Sequence, residues 1–286
     1  EGTSLWWFAQ ARNKKSVALN LKAPEGQDIV RKLAAEADIV VENFRPGTLE
    51  SWGIGWPQLS ALNPGLVMVR LSGYGQTGPY SDRPGFGSIG EAMGGLRHLT
   101  GEPDRAPVRT GVSIGDSIAA LYGAIGALMA LRHREVNGGK GQVVDVALYE
   151  AVFAMMESLL PEYDVAGLVR GRTGASLPGI VPSNTYATRD GGASWQLNRP
   201  DSIFRRMMRA IGHADLADDP DLATNAGRVP HTGRIDRVIG DWAGSLDLDA
   251  ALAVLNDAEV PAGRIYDIAD IARDPQYLAR GMIQGF

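Results

Sequence analysis

Residues 114–134 read IGDSIAALYGAIGALMALRHR. No other segment restricts the fold as much, because a helix that is apolar on nearly every side must be covered on nearly every side. Ala119, Ala120, Gly123, Ala124, Gly126 and Ala127 recur along it, so neighbouring elements can come close to its backbone. The flanking chain offers layers to do this. SVALNL reads as a strand, APEGQDIVRKLAAEA as a helix with Pro24 in its first turn and Ile29, Val30, Leu33 and Ala34 on one face, and ADIVVENF as a second strand. A strand, a helix and a strand in succession predict parallel strands joined by a right-handed crossover. RPGTLESWGIG and WPQLSALNP read as short helical turns before a third parallel strand, LVMVRLS. Past the long helix, NGGKGQVVDVAL reads as a turn and a strand leading into a helix, YEAVFAMMESLL.

From about Pro161 the texture changes. GLVRGRTGASLPGIVPSNTYATRDGGAS is rich in Gly, Ser, Thr and Pro and reads as a long connection, a kind of segment that is usually functional or linking. DSIFRRMMRAIG and the stretches 234–256 and 267–280 follow as short helices, with VPAGRIYD between the last two. A smaller second domain is expected there. GGASWQLNRP stands where an alternating apolar strand would be expected, and it does not read as one.

Composition narrows the chemistry. With 286 residues, 44% hydrophobic and 21% charged, the chain has volume for a real core. A net charge of −5 and dispersed Lys and Arg give no general field for nucleic acid. The absence of cysteine excludes disulfides, thiolate nucleophiles and Cys-ligated zinc, and the four histidines show no ligand spacing, so no metal site is expected. No run of about 18 apolar residues and no signal peptide is evident, so a cytosolic setting without a membrane partner is expected.

RLSGYGQTG, residues 70–78, has the G-x-G-x-x-G spacing of a dinucleotide-binding turn. That turn works only when its last glycine opens a helix whose amides face a pyrophosphate. Here PYSDRPG follows, and Pro84 would fall inside the helix. The glycines must serve another purpose, such as a sharp turn or a close backbone approach.

Asp116 follows a glycine at the head of the long helix. It reads first as a helix cap, and second as a carboxylate able to form a covalent acyl intermediate beside a helix terminus. The two readings are compatible. The succession RNKKSVALNLKAPEG, VENFRPGTLESWGIG, VRLSGYGQTGPYSDRPGF, GDSIAALYGAIGALMAL, GKGQVVDVALYEAV, PSNTY, DSIFRRMMRAIG and VPAGRIYDIADIARDPQYLARGMI resembles the class III coenzyme A transferase family, also called CaiB/BaiF, in order along nearly the whole chain.

The resemblance implies an α/β fold with a large Rossmann-like parallel-sheet domain and a smaller α+β domain, in an interlocked homodimer. On that pattern residues 1–165 form the large CoA-binding domain with its N-terminal part missing, 166–183 a linker, 184–270 the small domain, and 271–286 the start of a return to the large one. It implies CoA transfer from an acyl-CoA to a carboxylic acid through Asp116, with acyl-CoA as substrate and no permanent cofactor. Leu19, Asn20, Leu21 and Lys22 match a segment that contacts the CoA nucleotide; on their own they read as a strand end with a solvated lysine. Asn43, Phe44 and Arg45 match a turn against adenine and phosphate, where Phe44 offers a stacking face and Arg45 a phosphate partner. Tyr74 matches an aromatic that shapes the thioester pocket. Gly174, Ala175 and Ser176 match a glycine loop that covers the aspartyl intermediate, and otherwise read as an ordinary linker. Arg170 and Arg172 are candidates to meet a second carboxylate of the acid.

The nearest rival is an α-methylacyl-CoA racemase, which needs acid-base groups on both faces of the substrate. The position in RPGF where such an enzyme carries histidine is Phe86, which takes no proton, and His98 reads as a surface or loop residue. A non-catalytic CoA-binding protein would keep Asn43 to Arg45 and gain nothing from Asp116.

Overall fold

The computed structural model describes residues 2–197 and 200–284, and the chain divides into two compact units. The first comprises residues 1–100 and 106–172, the second 101–105 and 173–286.

The first unit begins with α1 (Leu5–Gln10), α2 (Pro24–Glu36), β1 (Ile39–Glu42), α3 (Thr48–Ser51), α4 (Trp56–Leu62) and β2 (Val67–Ser72). It continues with α5 (Gly87–Met93), α6 (Leu96–Leu99), α7 (Ile114–Val136), β3 (Val143–Ala147), α8 (Leu148–Phe153) and α9 (Leu159–Ala166). The strands form one parallel sheet in the order β1-β2-β3. SVALNL is not among them. Its residues are mostly exposed and form no ladder, and at its end the Asn20 side chain accepts the Lys22 N–H at 3.1 Å, turning the chain where a strand would continue. The turn is held close to α2, since a Cβ on Gly26 would lie 2.2 Å from the Asn20 carbonyl oxygen.

Two apolar layers cover the sheet. Ala34, Leu49, Ile54, Leu59, Leu66 and Met68 form one cluster beside α2 and α4, and Val67, Val69, Ala119, Ala127, Ala130 and Val146 form the other beside α7. Only the small side of α7 is buried, at Gly115, Ala119, Gly123, Ala127 and Ala130. Leu121, Ile125, Leu128 and Met129 are exposed, so the expectation of a helix covered all round is corrected. At 23 residues and a mean hydropathy of 1.6, α7 is also long and apolar enough by length and composition to cross a membrane, contrary to the expectation that no segment is. Its glycines instead meet the sheet: a Cβ on Gly123 would lie 3.3 Å from Val69 Cγ1, and one on Gly126 2.6 Å from Val144 Cγ1.

The sheet also contains a buried ion network. Glu42 and Arg70 are register partners on β1 and β2, and Arg70 Nε donates to Glu42 Oε1 at 2.6 Å. The two Nη atoms donate to Glu50 Oε1 and Oε2 of α3 at 2.7 and 3.1 Å. Burial pushes the Glu50 carboxyl up, but the Arg70 hydrogen bonds and charge outweigh it and hold the group below its ordinary value.

The second unit contains β4 (Ser183–Ala187), β5 (Ala193–Leu197), α10 (Asp201–Ala210), α11 (Ala214–Ala217), α12 (Asn225–Arg228), α13 (Thr232–Gly244), α14 (Leu248–Asp257), β6 (Ala262–Arg264), α15 (Ile268–Arg273) and α16 (Pro275–Ala279). Its sheet is antiparallel, in the order β4-β5-β6. GGASWQLNRP, read as irregular, thus supplies the central strand β5, while its residues 198–199 lie outside the described residues. Backbone pairing on both sides makes the strand where the side-chain pattern is weak. Phe204, Met207, Leu216, Ile235, Ile239 and Leu255 fill the core.

Arg70→Met is expected to destabilise the chain by about 3 kcal/mol at pH 7, because it leaves Glu42 buried without its cation. This is the low end for such a pair, since Glu50 is 35% exposed and water relieves it. Glu50 has a folded pKa below its unfolded value of about 4.5, so its contribution is complete above that value and is lost as pH falls through the lowered folded pKa. Urea unfolding at pH 7 and in mild acid should therefore show the difference between Arg70→Met and the parent shrinking in acid.

Candidate active site

Parallel strands collect their carboxyl ends on one edge, and ligands of open α/β sheets bind outside that edge. The first unit has a cavity of about 630 Å³ there. Glu42 at the end of β1, Leu71 and Ser72 at the end of β2, and Leu148 just after β3 all line it. The volume lies within the ~300–1,000 Å³ range of small-molecule sites.

Asn43, Phe44 and Arg45 form one wall, and Asp116 stands in another. The turn carrying the first three is fixed from below. Glu42 Oε2 accepts the Phe44 N–H at 2.8 Å while Oε1 is held by Arg70. The Phe44 ring meets Trp52 edge-on at 5.4 Å and stays 38% exposed, leaving apolar surface for a planar ligand group. Arg45 donates to the Asp82 carbonyl, and the Arg83 guanidinium carbon sits 3.7 Å from the centre of the Tyr80 ring. Two arginines, Arg45 and Arg83, thus line one cavity. That arrangement suits phosphate or carboxylate.

Asp116 is the third residue of α7, so it is not the cap; Ser113 holds that place and makes no side-chain capping bond. In the first turn, Asp116 lies where the helix dipole favours negative charge. It is exposed, and its carboxylate rests on Gly87: a Cβ there would lie 2.1 Å from Asp116 Oδ2 and 2.6 Å from Cγ. The next close approach is Gly115, whose Cβ would lie 3.0 Å from the Gly87 carbonyl oxygen. Farther along, a Cβ on Gly73 would lie 2.7 Å from Gly85 Cα. The glycines of GYG and RPGFG therefore let two segments cross backbone to backbone. No helix follows Gly78, as the sequence reading required.

Other expected site residues fall elsewhere. Leu19, Asn20, Leu21 and Lys22 sit in the turn before α2 and do not line the cavity. Tyr74 does not line it either; it stands behind Gly85, with rings of Tyr80 and Tyr149 at 5.9 and 6.3 Å. Gly174, Ala175 and Ser176 belong to the second unit, in a turn where the Thr173 and Ser176 hydroxyls each donate to the other residue's carbonyl. Arg170 is engaged by Glu162 and Glu157, and it holds the Glu162 carboxyl down at about 2. His98 is exposed on α6 and is not a cavity residue. Phe86 does line the cavity, so no histidine faces Asp116 among the described lining residues.

Sequence reasoning missed Arg83, Gly87 and the Glu42–Arg70 pair. The pair left a signal, an acid closing one apolar strand and a base inside the next, whereas Gly87 left none, because a close approach to a side chain far along the chain has no local pattern.

The model of CoA-transferase family III matches residues 1–286. The chain belongs to that family. It is 51% identical, over 100% of its length and 71% of the relative's, to succinyl-CoA–D-citramalate CoA-transferase of Chloroflexus aurantiacus. It is 42% identical, over 97% of its length and 65% of the relative's, to the succinyl-CoA–L-malate CoA-transferase alpha subunit of Chloroflexus aurantiacus. A crystal structure of a CaiB/BaiF family protein from Brucella suis superposes with a TM-score of 0.83 at 36% identity, covering 94% of this chain and 71% of that one. The mixed α/β fold is thus the family's fold.

Gly87→Ala is expected to lower kcat by about 100-fold, since the added methyl group must push the Asp116 carboxylate aside. Stability should change little, because the atoms the methyl group meets are the far end of the Asp116 side chain, which can turn away. Steady-state kinetics beside a melting curve separates the two effects.

Proposed function

We propose that this chain transfers coenzyme A from an acyl-CoA to a carboxylic acid through a covalent intermediate on Asp116. The observation that carries the reading is the shared cavity, in which the Asp116 carboxylate faces the same space as Phe44, Arg45 and Arg83. An adenine ring on Phe44 and phosphates near the arginines would hold the nucleotide end, with the thioester toward Asp116.

In the first step Asp116 attacks the thioester carbonyl; the C–S bond breaks and leaves a mixed anhydride and CoA thiolate. The thiolate then attacks the aspartyl carbonyl and expels the donor acid as its carboxylate, giving an aspartyl-CoA thioester. The acceptor carboxylate attacks that thioester, releases the thiolate again, and becomes the acyl half of a new anhydride. A final thiolate attack on the acceptor acyl group yields the new acyl-CoA and regenerates the carboxylate. Each attack passes through an anion that a helix N-terminus stabilises. No proton transfer at carbon is required, which agrees with Phe86 lining the cavity where a racemase would need a base.

The named relatives support succinyl-CoA as donor and a hydroxylated dicarboxylic acid of the citramalate or malate type as acceptor. The reading includes a cytosolic homodimer. The lack of cysteine suits the compartment, and the exposed Leu121, Ile125, Leu128 and Met129 of α7 offer apolar contact area for the pairing.

Incubation with succinyl-CoA followed by hydroxylamine should leave a hydroxamate on Asp116, identified by peptide mass spectrometry. Asp116→Asn should abolish it and lower turnover by on the order of 10³-fold or more. A hydroxamate at another residue, or transfer that persists in Asp116→Asn, would overturn the reading. A panel of acceptor acids with the same donor should give the highest kcat/KM for the hydroxylated dicarboxylic acids.

A further inference from the structure

Under the first turn of α7 lies a second carboxylate that the proposed chemistry does not use. Glu91 of α5 is 2% exposed, far more buried than a free surface acid. Its Oε2 accepts from Arg97 Nη2 of α6 at 3.1 Å, and its Oε1 faces the Gly115 N–H at 3.5 Å. Gly115 is the residue immediately before Asp116, and it sits in the first turn of a helix whose cap residue gives it no side-chain bond. The opening turn of a helix presents N–H groups with no partner within the helix. Here a partner comes from another helix.

The placement is tight on both sides. A Cβ on Gly115 would lie 3.2 Å from Glu91 Cγ and 3.0 Å from the Gly87 carbonyl oxygen. Gly87 and Glu91 are one helical turn apart on α5, so one helix touches the turn carrying Asp116 at two points: Gly87 against the carboxylate and Glu91 against the preceding amide. Arg97 is the paired cation of Glu91 at 3.1 Å, and Arg97 Nε is itself buried with no acceptor. The ion pair is therefore sensitive to loss of either member.

Resting on the reading of Asp116 as nucleophile, we propose that Glu91 is a positioning residue for the transfer. Held by Arg97, it caps α7 in trans at Gly115 and thereby fixes the Asp116 carboxylate in its attacking position. Glu91 is not among the cavity-lining residues, so its effect falls on the rate of covalent chemistry and not on substrate affinity. Glutamine keeps one acceptor oxygen, enough for the Gly115 N–H only with its NH2 group turned toward Arg97, whereas alanine keeps none.

The test compares the parent, Glu91→Gln and Glu91→Ala for single-turnover formation of the Asp116 hydroxamate from succinyl-CoA, with KM measured separately and hydrogen exchange followed in the peptide covering residues 112–118. Glu91→Ala should slow adduct formation by roughly 10- to 100-fold with KM for succinyl-CoA within about twofold, and should speed exchange in that peptide. Glu91→Gln, with one acceptor left, should fall between Glu91→Ala and the parent in both readouts. Should Glu91→Ala not fold, Arg97→Gln takes its place, with the expected outcome of the same rate loss and the same exchange change at smaller size. Unchanged rates in folded variants, or a loss confined to KM, would overturn the positioning role while leaving Asp116 as nucleophile. Failure of the parent itself to form the adduct would overturn both.

Discussion

The contact on which the first unit depends is the approach of the small side of α7 to the parallel sheet. Gly123 faces Val69 and Gly126 faces Val144, at distances where a larger side chain would have to displace a branched, stiff valine. That closeness sets the height of the helix above the sheet and so the point at which its first turn emerges at the carboxyl edge. The same logic repeats at the end of α7, where Gly115 meets the Gly87 carbonyl. Asp116 reaches the cavity because the residue before it has no side chain.

A second constraint acts from inside the sheet. Three charged groups, Glu42, Arg70 and Glu50, are drawn together from β1, β2 and α3. A buried network of this kind is an uncertain source of stability compared with an apolar replacement, but it specifies geometry. Here the specification has a recipient: the second oxygen of Glu42 takes the Phe44 amide and sets the direction in which residues 43–45 leave the strand. The two walls of the cavity are therefore fixed by different physics, one by the absence of side chains and the other by paired charge.

These two devices also explain what could be read from the sequence. The alternation of apolar strands with helices was visible, and β2, β3 and α2 to α4 fall where the pattern puts them. SVALNL misled because an apolar run has no ladder of its own; a strand exists only if a neighbour accepts it, and here Asn20 turns the chain away. The long helix misled because hydropathy weighs leucine and glycine on one scale while packing sorts them by size. Its small residues went inside and its large ones stayed out. Of the residues that line the cavity, Asp116 was legible as an acid at the head of the long helix, and the run from Asn43 to Arg45 through the family resemblance. The partners that hold them were not. Gly87, Glu91 and Arg83 acquire meaning only when distant segments are brought together.

Transfer through an anhydride makes one further demand. Asp116 is exposed in the first unit, and an anhydride formed on it would be open to hydrolysis. A rigid pocket sealed in advance would solve that but would also bar a ligand as long as an acyl-CoA. The cavity instead lies open along the carboxyl ends of all three strands, so that the ligand itself must supply much of its own cover. On the proposed chemistry this favours CoA as the exchanged group: contacts remote from the carbonyl hold its nucleotide through every step, while the small acids come and go. Binding energy along the nucleotide then keeps the thiolate beside Asp116 for as long as each mixed anhydride lasts, which lets the thiolate compete with water.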